Sequence, residues 1–165
     1  MYHPSSYTLL VSLLRQRPAA IAGVKGSDAY PKLRGEVLFY ETRFGVFTVA
    51  DIMGLPDVAE ACGNRYFGFH IHTGESCNGS AGDPFAMAQG HYNPQGCPHP
   101  SHAGDLPPLL SVRGRAFSAF LTDRFTVAEI VGRTVIIHGS PDDFKTQPGG
   151  DAGERIACGV IRGIS

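Results

Sequence analysis

The sequence predicts an all-β fold, a sandwich or barrel built from short strands with little helix. Its 165 residues include 21 glycines and 12 prolines, a composition that favours many turns. Apolar and β-branched residues recur in short runs between these turn residues, as they do in strands. We find no internal repeat and no domain boundary, so we expect one domain over residues 1–165, with residues 1–18 as an N-terminal extension.

The candidate strands are set by alternating apolar residues and by the turns between them. Residues 33–42 and 44–53 are separated by only a short turn and therefore predict a hairpin. The other candidate strands cover residues 19–23, 66–73, 109–113, 116–122, 133–138 and 156–161. Between them we expect a loop or one helical turn over 57–64, a polar connection over 126–130, and long loops after residue 73 and over 139–154.

Histidine is concentrated in one stretch, residues 68–105, which holds five of the seven histidines. His70 and His72 lie on a candidate strand, where successive side chains point to opposite faces. Both therefore project from the same face, about 7 Å apart at the backbone, and can converge on one metal ion. A further histidine, His138, ends the later apolar run 135–138.

The loop after this strand carries further groups with metal-ligand chemistry. It is about 35 residues long without a helix or strand pattern, and loops of that length are usually functional or disordered. His91, His99, His102 and Asp105 lie in it. Three imidazoles and one carboxylate suit a closed tetrahedral zinc site, so we interpret the loop as folded around a metal.

Charge and hydropathy exclude several classes of protein. The formal net charge is −1, which implies neither a nucleic-acid nor a membrane partner. No apolar run approaches the length needed to span a membrane. Near the N-terminus, the apolar run 9–14 is followed, not preceded, by basic residues, which is the wrong order for a secretory signal. We therefore expect a cytoplasmic protein, with an extracytoplasmic one as the alternative.

Four cysteines are present, Cys62, Cys77, Cys97 and Cys158. Four cysteines allow three complete pairings, and spacing alone does not choose among them. Cys97 lies two residues before His99, so a competing role as a zinc ligand is an alternative to a free thiol.

Several motifs taken together resemble those of the copper–zinc superoxide dismutase family. They are GFHIH (68–72), GHYNP (90–94), HAGDL (102–106), GRTVIIH (132–138), PDD (141–143) and GERIACGVI (153–161). They are spread over about two-thirds of the chain in the family's order. The resemblance implies an eight-stranded Greek-key barrel with two long functional loops, one binding metal and one electrostatic. It also implies a Cys77–Cys158 disulfide, which leaves Cys62 and Cys97 unpaired with either.

The resemblance also implies a role for each site residue. Copper would be held by His70, His72, His91 and His138, and zinc by His91, His99, His102 and Asp105. The spacing from His99 to His102 is tighter than in the better-known eukaryotic members. Asp142 would accept hydrogen bonds from one histidine on each metal's side, and Arg155 and Lys145 would guide the anionic substrate.

The activity implied is the conversion of superoxide anion to oxygen and hydrogen peroxide. Copper would cycle between Cu(II) and Cu(I), with His91 as the bridging and proton-transferring residue, while zinc, being redox-inactive, would be structural. A homodimer and a copper-delivery partner are further expectations. The alternatives are a zinc hydrolase, for which no acidic residue is placed as a base near His70 and His72, and a metal-binding module without turnover, which loss of a copper ligand would signal.

Overall fold

Antiparallel β-strands form the framework of the fold. The computed structural model describes residues 11–12, 15–57 and 63–164. A 3-10 turn covers Ala86–Ala88, and a short α-helix covers Val127–Ile130. The strands are β1 (Ala20–Gly26), β2 (Arg34–Thr42), β3 (Gly45–Met53), β4 (Tyr66–Phe67), β5 (Phe69–His72), β6 (Leu109–Leu110), β7 (Arg115–Thr122), β8 (Thr134–His138) and β9 (Arg155–Gly163). The prediction of an all-β fold is confirmed.

The strands form one large sheet that curls back on itself. Seven strands pair in the order β5-β8-β9-β1-β2-β3-β7, all antiparallel, and β4 pairs with β6 in a second sheet. β4 runs directly into β5 at one edge, while β6 lies beside β7 at the other edge. The small sheet therefore brings the two edges of the large one together, as in a barrel.

The expected strand 66–73 is divided at Gly68, which explains why the described residues form nine strands where eight were expected. The N–H of Gly68 donates to the carbonyl of Ser140, and its carbonyl accepts from the N–H of His138. A Cβ at this position would lie only 2.8 Å from the Cβ of Ala152. Glycine thus lets the chain leave one sheet and enter the other close to the second loop, residues 139–154.

Burial on β5 shows why this strand can carry a site. Phe69 and Ile71 are fully buried in the main core, as their alternation predicts. His70 and His72, on the other face, are equally buried, at 0% and 1% exposure, because loops cover them. The other large side chains buried in the same core as Phe69 and Ile71 come from both sheets and from the short helix: Phe39, Ile52, Phe67, Leu109, Ile130, Ile137, Ile156 and Ile161.

The segment expected to be a polar connection, residues 126–130, instead contains the short helix Val127–Ile130. That prediction was wrong. The N–H of Thr126 donates to the carboxylate of Glu129 at 2.7 Å, so the sequence Thr-x-x-Glu caps the first turn. Val127 and Ile130 then bury their side chains, which stabilises a turn too short to show helical periodicity.

The predicted disulfide joins Cys77 to Cys158, with 5.6 Å between the two Cα atoms. It ties the first loop, residues 73–108, to β9. Cys158 packs with Phe85, Ala88 and Ile136 in a small apolar cluster, so the bond is surrounded by core. Cys97 is a free thiol, whereas Cys62 lies outside the described residues.

The first eighteen residues lie mostly outside the described part of the chain, as do residues 58–62 of the expected 57–64 loop. Among the described residues, no helix has both the length and the apolar character needed to cross a membrane.

Candidate metal centre

Two groups of side chains bring metal-ligand atoms together. The first group consists of His70, His72, His91 and His138, and the second of His91, His99, His102 and Asp105. Within each group the candidate ligand atoms all lie within 4.8 Å of one another. His91 belongs to both groups, and these are the two sets that the sequence motifs indicated.

The backbone of β5 sets the positions of both groups. β8 pairs with one edge of β5, which places His138 beside His70 and His72. The other edge would be free, because β5 ends the large sheet, and here it binds the first loop. Ile71 donates its N–H to Gly104 at 2.9 Å and accepts from the N–H of Tyr92 at 2.8 Å. These bonds bring His91 and Asp105, their chain neighbours, against the strand.

The approach at this edge is so close that the loop requires glycine at position 104. A Cβ on Gly104 would overlap the carbonyl oxygen of Ile71. The glycine in the motif HAGDL is therefore explained by backbone contact with β5.

Hydrogen bonds orient the imidazoles of His72 and His138. The Nδ1 atom of His72 donates to the carbonyl of Gln89 at 2.7 Å, and that of His138 to the carbonyl of Gly153 at 3.1 Å. Carbonyl oxygens only accept, so in each neutral ring the lone pair is on Nε2. The two Nε2 atoms lie 3.3 Å apart, facing each other.

Burial keeps these two rings neutral. It lowers the pKa of His72 well below its usual value, and it lowers the pKa of His138 to about 3. A neutral imidazole offers its lone pair to a metal ion at neutral pH. Both rings are therefore in the protonation state that coordination needs.

Asp142 orients a third and a fourth imidazole, one from each group. Its two carboxylate oxygens lie 2.8 Å from Nε2 of His70 and 2.9 Å from Nε2 of His99. Burial raises the pKa of Asp142, but the bonds from His70, from the N–H of Phe144 and from His99 outweigh that effect and hold the pKa below its usual range. The carboxylate is therefore ionised and accepts from both rings.

The opposite nitrogen of each of these two rings, Nδ1 of His70 and of His99, is buried without a hydrogen-bond partner. Nδ1 of His99 lies 3.0 Å from a carboxylate oxygen of Asp105, but without hydrogen-bond geometry. An unpaired buried polar atom costs about 1–3 kcal/mol. One such atom in each group is what a pair of bound cations would satisfy, so the residues present fit a copper and a zinc ion.

The shared residue, His91, is placed to face both groups. Its Nδ1 lies 2.7 Å from Asp105 and 3.3 Å from Nδ1 of His102, within the second group. Its ring centroid lies 4.0 Å from that of His70 and 5.0 Å from that of His72, on the side of the first group. The side chain is 7% exposed and lies at the wall of the cavity outside.

That cavity has a volume of about 610 Å³ and opens over the first group. Its wall includes His72, His91 and His138, and from the second loop and its junction with β9 it includes Asp151 and Arg155. Lys145 is exposed and lies outside this lining, so of the two cations expected to guide substrate only Arg155 borders the cavity.

Arg155 is held by three acceptors from the first loop. Its guanidinium donates to the carboxylate of Asp83 at 3.0 Å and to the carbonyls of Phe85 and Gln89 at 2.9 and 2.7 Å. The Gln89 carbonyl also accepts from His72.

Sequence reasoning missed Asp83, Gln89 and Asp151, since none of them lies in a motif or on a periodic element.

Cys97 is half-buried, and its thiol belongs to neither ligand group. Its N–H and carbonyl are instead paired with the side chain of Asn93 at 2.9 and 2.8 Å. Within the described chain, the structure therefore gives no support to Cys97 as a competing zinc ligand.

Comparison with known proteins gives a consistent result. Residues 33–161 match the family described as copper/zinc superoxide dismutase (SODC). The chain is 36% identical over 143 residues to superoxide dismutase (Cu-Zn) 2 of Aquifex aeolicus, covering 78% of each chain. It is 31% identical over 163 residues to the Cu-Zn superoxide dismutase of Legionella pneumophila, covering 94% of each.

The fold is also similar to a solved member. The Cu/Zn superoxide dismutase from Brucella abortus superposes with a TM-score of 0.70 at 27% identity, over 86% of this chain and 98% of that one. The family match spans the strands and loops that carry both ligand groups. This chain belongs to the copper/zinc superoxide dismutase family.

Proposed function

We propose that this protein is a superoxide dismutase that converts two superoxide anions and two protons into oxygen and hydrogen peroxide. The observation that carries the proposal is the sharing of His91 by two complete groups of ligand atoms beneath one open cavity. When bound, copper supplies the one-electron redox chemistry that this reaction requires, and zinc supplies a fixed, redox-inactive charge. His70, His72, His91 and His138 would hold copper, and His91, His99, His102 and Asp105 would hold zinc.

The contribution of the protein to this chemistry is orientation and exclusion of water. His70, His72 and His138 are each buried, and each has one ring nitrogen fixed by an acceptor. Their remaining nitrogens are therefore aimed before any metal arrives, which reduces the reorganisation needed on binding. A preorganised and largely dry site also strengthens the electrostatic interactions inside it.

His91 is the residue placed to move a proton. It lies at the cavity wall, with Nδ1 directed to Asp105 and the other side of the ring toward the first group. Its Nε2 borders Gly149, where an added Cβ would lie 3.2 Å away, so the glycine keeps a side chain from crowding this atom. We assign Nε2 of His91 as the atom that gives a proton to the reduced substrate.

Arg155 supplies the positive charge that would attract superoxide. Its side chain is 21% exposed and borders the cavity, while Asp83 neutralises part of its charge from behind. Asp151 adds a negative charge to the same wall. Because the whole chain carries a formal charge of −1, attraction of an anion depends on this local field.

Asp142 would tie the two metal sites together, and Gly150 makes room for it. Gly150 has φ +68, and a Cβ there would overlap the carboxylate of Asp142 and lie 2.8 Å from Nε2 of His99. The absence of a side chain at Gly150 therefore leaves room for the hydrogen bond from Nε2 of His99 to Asp142, which orients His99.

The partners of the chain form a finer part of the proposal. We propose that it forms a homodimer and receives copper from a delivery protein. Support for self-association comes from Tyr66 and Leu110, which lie directly opposite each other on the β4–β6 sheet and are 51% and 48% exposed. Contiguous exposed apolar side chains often mark an interface between chains.

Replacing His72 with alanine should abolish superoxide consumption, because the first group loses a ligand. The second group does not contain His72, so we expect zinc content and fold to be retained. The measurement is superoxide decay and metal content after loading with copper and zinc, with His3→Ala as the matched control. Substantial dismutation by the copper-loaded variant would contradict the proposed site, and loss of activity in the control would make the test unspecific.

Replacing Arg155 with isoleucine should slow the reaction by about tenfold and reduce its dependence on ionic strength, because it removes a positive charge from the cavity wall and leaves the negative charge of Asp151. This is the lower end of the gain of about 10–10³-fold that electrostatic steering gives to association rates. The rate is measured over about 10–200 mM salt, where the Debye length falls from about 30 Å to under 10 Å. Lys145→Ala removes the same charge outside the cavity lining and should have the smaller effect. Equal rates and salt slopes for Arg155→Ile and the wild type would show that Arg155 has no guiding role.

Replacing Gly150 with alanine should destabilise the metal-free protein more than the same change at Gly96. Both glycines have positive φ, +68 and +66, so both variants carry a backbone cost of about 1–2 kcal/mol. Only the Cβ at position 150 meets Asp142, whereas the one at Gly96 meets nothing within 4 Å. For Gly150→Ala we expect the free energy of unfolding, measured in urea, to fall by about a further 1.5–3 kcal/mol because the hydrogen bonds of the charged Asp142 are disrupted. Equal losses in the two variants would be evidence against a role for Gly150 in placing Asp142.

Sedimentation velocity should detect the homodimer, and Leu110→Lys should shift the chain to monomer by placing a charge in the apolar surface. A wild-type chain that sediments as a monomer at every concentration tested would contradict the dimer.

A further inference from the structure

We propose that two side chains outside the first loop, Arg124 and Gln147, are positioning residues that set zinc affinity by binding the backbone of segment 99–105. This inference rests on the proposed function, because it takes the second ligand group as the zinc site. Neither residue offers a ligand atom to that group. Both act on the peptide groups that carry its members.

Segment 99–105 has few means of holding its own shape. It carries three of the four ligands of the second group, with only two residues between His99 and His102. It contains no helix or strand, and its one internal backbone hydrogen bond runs from the N–H of Asp105 to the carbonyl of His102 at 3.2 Å. Its remaining peptide groups need partners from elsewhere in the chain, since buried backbone groups are nearly always paired.

Gln147 binds both backbone groups of His99. Its Oε1 accepts from the N–H of His99 at 2.9 Å, and its Nε2 donates to the carbonyl of His99 at 2.7 Å. This two-point contact resembles the pairing of one strand with another and fixes the orientation of the residue. Asp142, from the same second loop, binds Nε2 of the His99 ring. With backbone and ring both held, Nδ1 of His99 is left pointing into the ligand group.

Arg124 binds the rest of the segment. Its Nη1 lies 3.1 Å from the carbonyl oxygen of Pro100 and 3.3 Å from those of His102 and Asp105. Two of these three carbonyls belong to candidate zinc ligands. Within the described part of the chain, Arg124 makes no ion pair with a carboxylate, so its charge acts on the three carbonyl dipoles.

The simpler alternative is that these contacts only cap surface peptide groups. Both side chains are largely exposed, and an ordinary hydrogen bond contributes about 0.5–1.5 kcal/mol to stability. Capping alone would change the stability of the metal-free protein without changing the zinc site. Positioning would change zinc affinity and the geometry around the metal. Measuring zinc affinity and the stability of the metal-free protein therefore separates the two explanations.

The test uses the full chain free of copper and measures zinc affinity by competition with a chromophoric chelator. Gln147→Met nearly keeps the size of the side chain and Arg124→Met keeps an aliphatic stem, but both remove the hydrogen bonds. Partners that orient metal ligands typically contribute about 10–100-fold to metal affinity, so we expect each variant to bind zinc about tenfold or more weakly. The spectrum of cobalt(II) placed in the zinc site should also shift, because it reports ligand geometry. The melting temperature of each metal-free variant, recorded in parallel, shows how far the substitution changes stability alone.

Matched controls are an arginine and a glutamine whose side chains make no hydrogen bond to segment 99–105. Arg115→Met alters an arginine on β7 that pairs with Asp51 and has a side chain 62% exposed. Gln95→Met alters a glutamine of the first loop whose side chain makes no hydrogen bond to the described chain. Zinc affinity within about twofold of the wild type is expected for both. Arg124→Lys, which keeps the charge and can still bind carbonyls, should restore part of the affinity lost in Arg124→Met.

Wild-type zinc affinity and cobalt spectra in both Arg124→Met and Gln147→Met would overturn the inference, whether or not the metal-free protein melts at a lower temperature. If Arg124→Met does not fold, the same result in Gln147→Met alone would overturn it. That result would leave the proposed function intact, since the wild type would still bind zinc. A wild-type chain that takes up no zinc would instead overturn the proposed function, and this inference with it.

Discussion

The pairing of β5 along both of its edges is the constraint on which the centre depends. One edge binds β8 and the other binds the first loop through Ile71. The strand therefore has core on one face and His70 and His72 on the other, with ligand-bearing chain on either side. A terminal strand normally leaves a row of unpaired peptide groups that can recruit another chain. Here the edge of β5 binds a loop of the same chain, and that loop carries most of the other ligand residues of the site.

The electrostatic balance of the centre follows from this burial. Six imidazoles gathered in one region would repel one another if charged, and burial lowers the pKa of His70, His72, His102 and His138. Asp105 and Asp142 supply the negative charge of the centre. Burial raises the pKa of both carboxyls, but hydrogen bonds and charges from the histidines have the larger effect and keep both pKa values below the usual range. The protein thus surrounds the centre with imidazole nitrogens and two negative charges, a combination suited to cations.

Much of the fold could be predicted from the sequence, because strand alternation and turn residues are local signals. The same alternation placed His70 and His72 on one face. It could not show the division at Gly68, which depends on contact with residues 138–152 far along the chain. The helix at Val127–Ile130 was missed although Thr126 and Glu129 form a recognisable cap.

The candidate site divides in the same way. The histidine-rich stretch and the apolar run 135–138 drew attention to His91 and His138, but only the family motifs indicated their roles and that of Asp142. The contacts of Asp83 with Arg155, of Gln147 with His99 and of Arg124 with three carbonyls were not predicted at all. Each joins irregular segments whose relative placement depends on the packing of the whole chain, and no periodicity in the sequence encodes such a placement.

The position of His91 in both ligand groups makes the two metal equilibria one thermodynamic system. An ion that fixes this ring for one site changes the work needed to fill the other. By linkage, the factor by which the first metal alters the affinity of the second equals the factor in the reverse direction. The order of loading then cannot change the total free energy of binding, although it can change the route. Selection on either affinity therefore acts on both, and neither site can be tuned alone through this residue.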